Sequence, residues 1–208
     1  MEWSDLLGWI IPNPAECRAE AERLTAANPG MPPEDMARLA VKSAKKWAGA
    51  VGGAAGVVSN PLAMIPTTLA EAPVILRAEG KVAGVVAALL DPNSLDDYDA
   101  FQADILAVVF PGAVSQHLRP FGVRVGQVIA KDLIRKYIRG DVLRTIVKIA
   151  AKYLGLKLTQ KALIARSVPL VGAGIGFTWN WIEVGKIGKR AIAYHSPATN
   201  PQDDTPPI

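Results

Sequence analysis

Trp3, Leu6, Leu7, Ile10 and Ile11 recur at the i, i+3, i+4, i+7, i+8 spacing of one helical face, and Pro12 and Pro14 end the run. A polar helix over 14–27 follows, closed by Asn28-Pro29-Gly30. Pro32-Pro33-Glu34-Asp35 then opens another, with proline and acids in its first turn. Along that helix Met36, Leu39, Ala40, Trp47 and Val51 share one side, while Arg38, Lys42 and Lys46 stack on another. The amphipathic N-terminal turns have two readings. They dock on the protein's own core, or they lie in a bilayer interface. Docking is favoured, because Glu2 and Asp5 would weaken attachment to anionic lipid.

From Trp47 to Ala70 no residue is charged. The stretch is long enough for a membrane span, but Pro61 and Pro66 interrupt it and Ser59-Asn60 sits in its middle. It reads as a buried or membrane-dipping helix to about Val58, then a turn. Thr68 and Glu71 have capping-box spacing, which predicts a helix over 67–90 with Pro73 in its first turns. Ser94-Leu95-Asp96-Asp97 caps a helix to about Val109, and Pro111-Gly112 breaks it. Two basic amphipathic helices span 123–139 and 141–154, divided by Gly140. Further helices cover about 159–167 and the run from Pro169 to His195, where Trp179, Asn180 and Trp181 stand together. The Pro-rich end, 196–208, is expected to be a disordered tail. No segment alternates as a strand. The pattern therefore predicts an all-α fold: a single compact multi-helix domain over 34–195, with glycine-rich apolar helices and basic amphipathic helices, preceded by amphipathic and polar helices over 1–33.

The bulk numbers sharpen this picture. Half of the 208 residues are hydrophobic and 20% charged, too greasy for a disordered chain. Residues 1–118 carry 8 basic and 14 acidic side chains, whereas 119–166 carry 12 and 2. A concentrated basic block suggests an anionic partner. Cys17 is the sole cysteine, which fits a reducing, cytoplasmic setting, and the acidic start does not resemble a secretory signal.

Three constellations carry the functional argument. Arg124, Lys131, Arg135, Arg139, Arg144, Lys148 and Lys152 place a cation on nearly every turn beside an apolar face, the arrangement by which interfacial helices hold lipid headgroups. Trp3, Trp47, Val51, Val57, Met64, Phe177 and Trp181 are candidates for an apolar surface or pocket. Gly49, Gly52, Gly53, Gly56, Gly172 and Gly176 recur at four-residue spacing, which lets helix backbones approach closely. Each has a plainer alternative: a solvated face, ordinary core, or close packing in water. Nucleic acid is disfavoured, since the basic block lacks stacking aromatics. No metal or cofactor motif stands out; the aspartates at 91, 96, 97, 99 and 104 lack the glycine and final glutamate of a calcium loop and suit helix capping. His117 and His195 stand in no catalytic motif, so no enzyme activity is expected. A buried carboxylate–histidine pair assembled only in three dimensions would reopen that question.

Two blocks resemble the EcsC family of bacterial proteins. GGAAGVVSNPLAMIPTTLAEAPVILRAEGKVAG at 52–84 is similar to that family's glycine-rich helix, proline-marked turn and helix with a Leu-Arg pair, here Leu76-Arg77. SVPLVGAGIGFTWNWIEVGKIGKRA at 167–191 resembles its ending, with Pro169, Gly172, Ala173, Gly176 and Asn180 in matching places. The resemblance covers roughly 35–195. It implies an all-helical, membrane-associated protein and supplies no catalytic residues. The expected function is non-catalytic membrane or lipid binding, with a phospholipid or membrane surface as partner. The alternative is a soluble helical scaffold that forms a homo-oligomer or pairs with another protein.

Overall fold

In the computed structural model, residues 3–56, 61–121, 131–152, 155 and 172–196 are described. Among them are nine α-helices and no strand. They are α1 (Trp3–Ile10), α2 (Pro14–Ala27), α3 (Pro33–Gly56), α4 (Pro61–Leu90), α5 (Tyr98–Val109), α6 (Pro111–Leu118), α7 (Lys131–Tyr137), α8 over residues 141–152, and α9 (Gly172–His195). Short 3-10 turns cover Pro92–Leu95 and Arg119–Phe121. The expected helix over 159–167, the first part of the one over 123–139 and the C-terminal tail lie outside the described residues.

The capping chemistry explains several boundaries. The Asn13 side chain accepts from Ala15 N at 2.9 Å, with Pro14 at the first helical position of α2. Asp97 accepts from Asp99 N and Ala100 N, so α5 starts after the 3-10 turn rather than at Ser94. Gly30 and Gly140 have φ of 82° and 54°, and each turns the chain where a side chain would be strained. One expectation is corrected. The helix over 67–90 begins at Pro61 and runs through Pro66 and Pro73. An internal proline forfeits a backbone hydrogen bond, and packing of α4 on α1, α2, α3 and α9 offsets that loss.

The helices α3, α4 and α9 form the frame. A Cβ on Gly188 would press into Val41, one on Gly185 would reach Lys45, and Asn180 donates to the Ala48 carbonyl at 3.2 Å. Gly52 and Gly176 meet backbone to backbone. These pairs fix α3 and α9 antiparallel over three to four turns. The glycine helices thus pack on each other, with Gly52 and Gly176 as the closest point and Gly49 against the Phe177 ring.

α1 docks on the protein itself. Ile10 is fully buried, its carbonyl sits on Gly80, and Gly84 receives Pro12 and Cys17. The glycine notch on α4 therefore seats the N-terminal segment. Burial pushes the Cys17 thiol up to about 12, so it is a packing residue at neutral pH. On the other side α5 is buried along nearly its whole length, with Phe101, Ile105 and Leu106 fully enclosed. Ile134, Ile138, Ile146 and Val147 of the α7–α8 region complete the core.

Candidate functional site

The frame has two unlike ends. At one end α3 finishes, α4 begins and α9 begins, since Gly52 packs on Gly176 and only four residues separate α3 from α4. The sequence carries no charge over residues 47–56, 61–70 and 172–182, so the apolar ends of all three helices meet at one tip. Each of these segments is about 14–15 Å long at 1.5 Å per residue.

A collar of aromatics and lysines marks the base of the tip. By the α3–α9 pairing Trp47 lies level with Trp181. Trp47 is 51% exposed, Phe177 is 40% exposed and stacks on Trp181 at 5.6 Å, and the Lys45 ammonium stands 4.6 Å over the Trp181 ring. Lys42 and Lys46 are exposed just below. Of the sequence-derived apolar candidates, Phe177 and Trp181 are brought together, Trp47 lies level with them but on the side of α3 that faces α2 and α4, and Val51 lies half-buried one turn above Trp47. Val57 and the side chains of Trp3 and Met64 lie outside those described. So do the surroundings of Gly56 and Gly172, while Gly53 is half-buried on α3.

A groove opens between α2, α3 and α4, beginning at the collar. Its volume is about 680 Å³, and Leu24, Leu39, Trp47, Val74, Val82 and Val85 supply its apolar lining. Arg23, Arg77, Lys81 and Glu20 border it. Arg23 grips Glu20 through two hydrogen bonds of 2.9 and 2.7 Å, which hold the Glu20 carboxyl below its ordinary value. Among the described residues, neither Arg77 nor Lys81 makes an ion pair within 4 Å, although the Lys81 charge also helps lower the Glu20 carboxyl.

The opposite end is a charge cluster, and it changes the reading of the basic stripe. Arg135 reaches Asp104 at 2.7 Å and Asp91 at 3.1 Å, and Lys131 reaches Asp91 at 3.2 Å. Arg139 pairs with Asp97 and Arg144 with Asp141. These four cations, read from the sequence as headgroup contacts, face the protein's own carboxylates. For Lys131, Arg135 and Arg139 the acids come from α5 and the end of α4, whereas Arg144 makes an exposed pair with Asp141 on its own helix. Lys148 and Lys152 are exposed on α8, and Arg124 lies outside the described residues.

Asp104 is 0% exposed and also accepts from the Tyr194 hydroxyl at 2.8 Å. The Arg135 guanidinium beside it is held above its ordinary value by that contact. The nearby His195 ring, with Lys131 and Arg135, keeps Asp91 well below the carboxylate range. His195 is 1% exposed, with Nδ1 3.7 Å from Asp91 and neither ring nitrogen hydrogen-bonded. This is a carboxylate–histidine pair of the kind that would reopen the question of chemistry, with the histidine buried and Asp91 partly exposed. The ring is sealed by α9 and Tyr194, which meets it edge-on at 4.9 Å, so no substrate reaches it without repacking. The cluster is a clasp that joins α4, α5, α7 and α9.

No family model, curated protein or solved structure matches the chain. Among the described residues no helix is long and apolar enough to cross a membrane, and no group of histidine, cysteine and carboxylate side chains is placed to hold a metal. What the sequence reading missed are Arg77 and Lys81, whose four-residue spacing on α4 is visible in the sequence but whose apolar neighbours come from two other helices.

The clasp has a measurable pH signature. Burial lowers the His195 pKa, although Asp91 and Asp104 pull the other way. The unfolded chain therefore binds a proton at His195 that the folded chain refuses, and stability falls as the pH drops below about 6.5. Asp91, depressed in the folded state, loses its contribution in a second window below about pH 4. Thermal melts from pH 8 to pH 5 are expected to show a falling Tm below pH 6.5, and His195→Phe flattens that upper window. A wild-type Tm that stays constant from pH 7.5 to 5.5 would show that folded His195 accepts the proton.

Proposed function

We propose that this protein binds one leaflet of a membrane through its uncharged tip and performs no chemistry there. The convergence of three uncharged helix ends above a Trp–Lys collar carries the reading. The tip's depth of about 14–15 Å matches half of the roughly 30 Å hydrocarbon layer. Tryptophans favour the headgroup boundary, where Trp47 and Trp181 would then lie. Lys42, Lys45 and Lys46 would stand at phosphate level, each worth about 1 kcal/mol near an anionic surface. Lys148 and Lys152 remain from the original stripe as further outward cations. The resemblance to the EcsC family over 52–84 and 167–191 points to the same association. The expected setting is the cytoplasmic face of a membrane.

Vesicle flotation tests the reading. The protein is expected to float with vesicles containing anionic lipid and to remain below with purely zwitterionic ones. Ala54→Asp puts a charge at an exposed position of the tip. It is expected to leave the melting temperature within a few degrees of wild type and to weaken vesicle binding about tenfold or more, given a cost of about 2.5–3.5 kcal/mol for a charge at full depth. Equal recovery in the soluble fraction with either lipid would overturn the proposal. A stable detergent-free oligomer with its tip protected from hydrogen exchange would instead assign that apolar surface to a second copy of the chain.

A further inference from the structure

We propose that the groove between α2, α3 and α4 binds a single-chain anionic lipid, a fatty acid or a lysophospholipid. Its volume of about 680 Å³ falls within the roughly 300–1,000 Å³ of small-ligand sites. From Val74 to Val85 the groove follows α4 for eleven residues, or about 16 Å. One acyl chain reaching half-way through a bilayer of about 30 Å has that length. Aliphatic and aromatic side chains, Leu24, Leu39, Trp47, Val82 and Val85, supply most of the lining surface.

Charge selects the head. Glu20 is the only acid on the lining and is gripped by Arg23, with Lys81 a weaker influence, so three cations face one acid, and Arg77 and Lys81 stand exposed one turn apart. A carboxylate or phosphate lying across them would receive charge-assisted hydrogen bonds while the chain covers the apolar floor. Trp47 and Val74, both exposed, stand at the end nearest the tip, so the groove opens beside the collar. A protein partner fits less well. A stable interface uses about 20–30 residues a side, whereas fourteen line this groove.

The inference takes from the membrane reading only the source of the lipid, and its test is done without vesicles. Delipidated protein is titrated with oleate below its micellar concentration, with oleyl alcohol as the uncharged control, and stoichiometry is read by native mass spectrometry. One oleate per chain is expected, with the alcohol bound about tenfold more weakly. The double variant Arg77→Ala/Lys81→Ala alters exposed side chains only, and it should weaken oleate about tenfold or more while leaving the alcohol unchanged. Ala44→Trp, which fills the groove, should abolish both. No oleate binding, equal binding of oleate and alcohol, or binding untouched by the charge variants would overturn the proposal. Capture of an acidic amphipathic peptide in place of oleate would overturn it as well. If oleate binds while vesicle flotation fails, the groove stands and the membrane reading falls; the reverse result separates them the other way.

Discussion

Gly52→Ala is expected to lower stability by about 3 kcal/mol, a fall of roughly 6–12 °C in Tm for a chain of this size. A methyl group there would overlap the Gly176 carbonyl, and the reciprocal change would overlap the Gly52 carbonyl. Neither obstacle is a side chain that can rotate away. The α3–α9 pair must separate, which loosens the neighbouring Asn180–Ala48 hydrogen bond and the Phe177–Gly49 contact. Helix propensity works in the opposite direction, since alanine gains up to about 1 kcal/mol over glycine in a helix. Gly8→Ala isolates that gain, because nothing lies within 4 Å of the position. It should be neutral or slightly stabilising. Denaturant melts of both variants decide the point. A Gly52→Ala protein as stable as the wild type would mean that the two backbones do not touch. Gly176→Ala should match Gly52→Ala, and the double variant should cost less than the sum, because one separation relieves both overlaps.

Arg135→Met is expected to cost about 3 kcal/mol, because it leaves Asp104 enclosed without its counter-charge. Methionine keeps most of the packing volume, so the loss reports charge. The remaining donor to Asp104 is the Tyr194 hydroxyl. Combining Arg135→Met with Asp104→Asn should cost less than the two changes added together. Chemical denaturation of the single and double variants measures these differences. Additive losses would show that Arg135 and Asp104 do not interact through charge.

The local grammar of the chain was readable in advance. Apolar periodicity located α1 and α3, and the Ser94–Asp97 capping signature located α5. The Asn28–Gly30 and Gly140 turns were visible as turn chemistry, and the four-residue glycine spacing announced close helix contact. Partnership was less legible. Nothing in the local pattern tells Arg135 that its acids lie 31 and 44 residues earlier, so a cation on an amphipathic face read as a solvent- or lipid-facing one. Pro61 and Pro66 misled for a related reason: both read as interruptions, yet α4 starts at Pro61 and tertiary packing carries it through Pro66. The groove was illegible because its walls come from three helices, each ordinary by itself. Its cations, Arg77 and Lys81, carry no signal until Leu39 and Trp47 stand beside them.

The α3–α9 pairing also constrains how the chain is made. Gly52 leaves the ribosome 124 residues before Gly176, which at about 5–20 residues per second is a wait of roughly 6–25 s. During that interval α3 and α4 lack the helix that covers their glycine face. The nascent protein therefore emerges with sticky surface uncovered. Truncation before residue 172 should yield a product that chaperones hold and proteases remove, and the last helix acts as the closing bolt of synthesis.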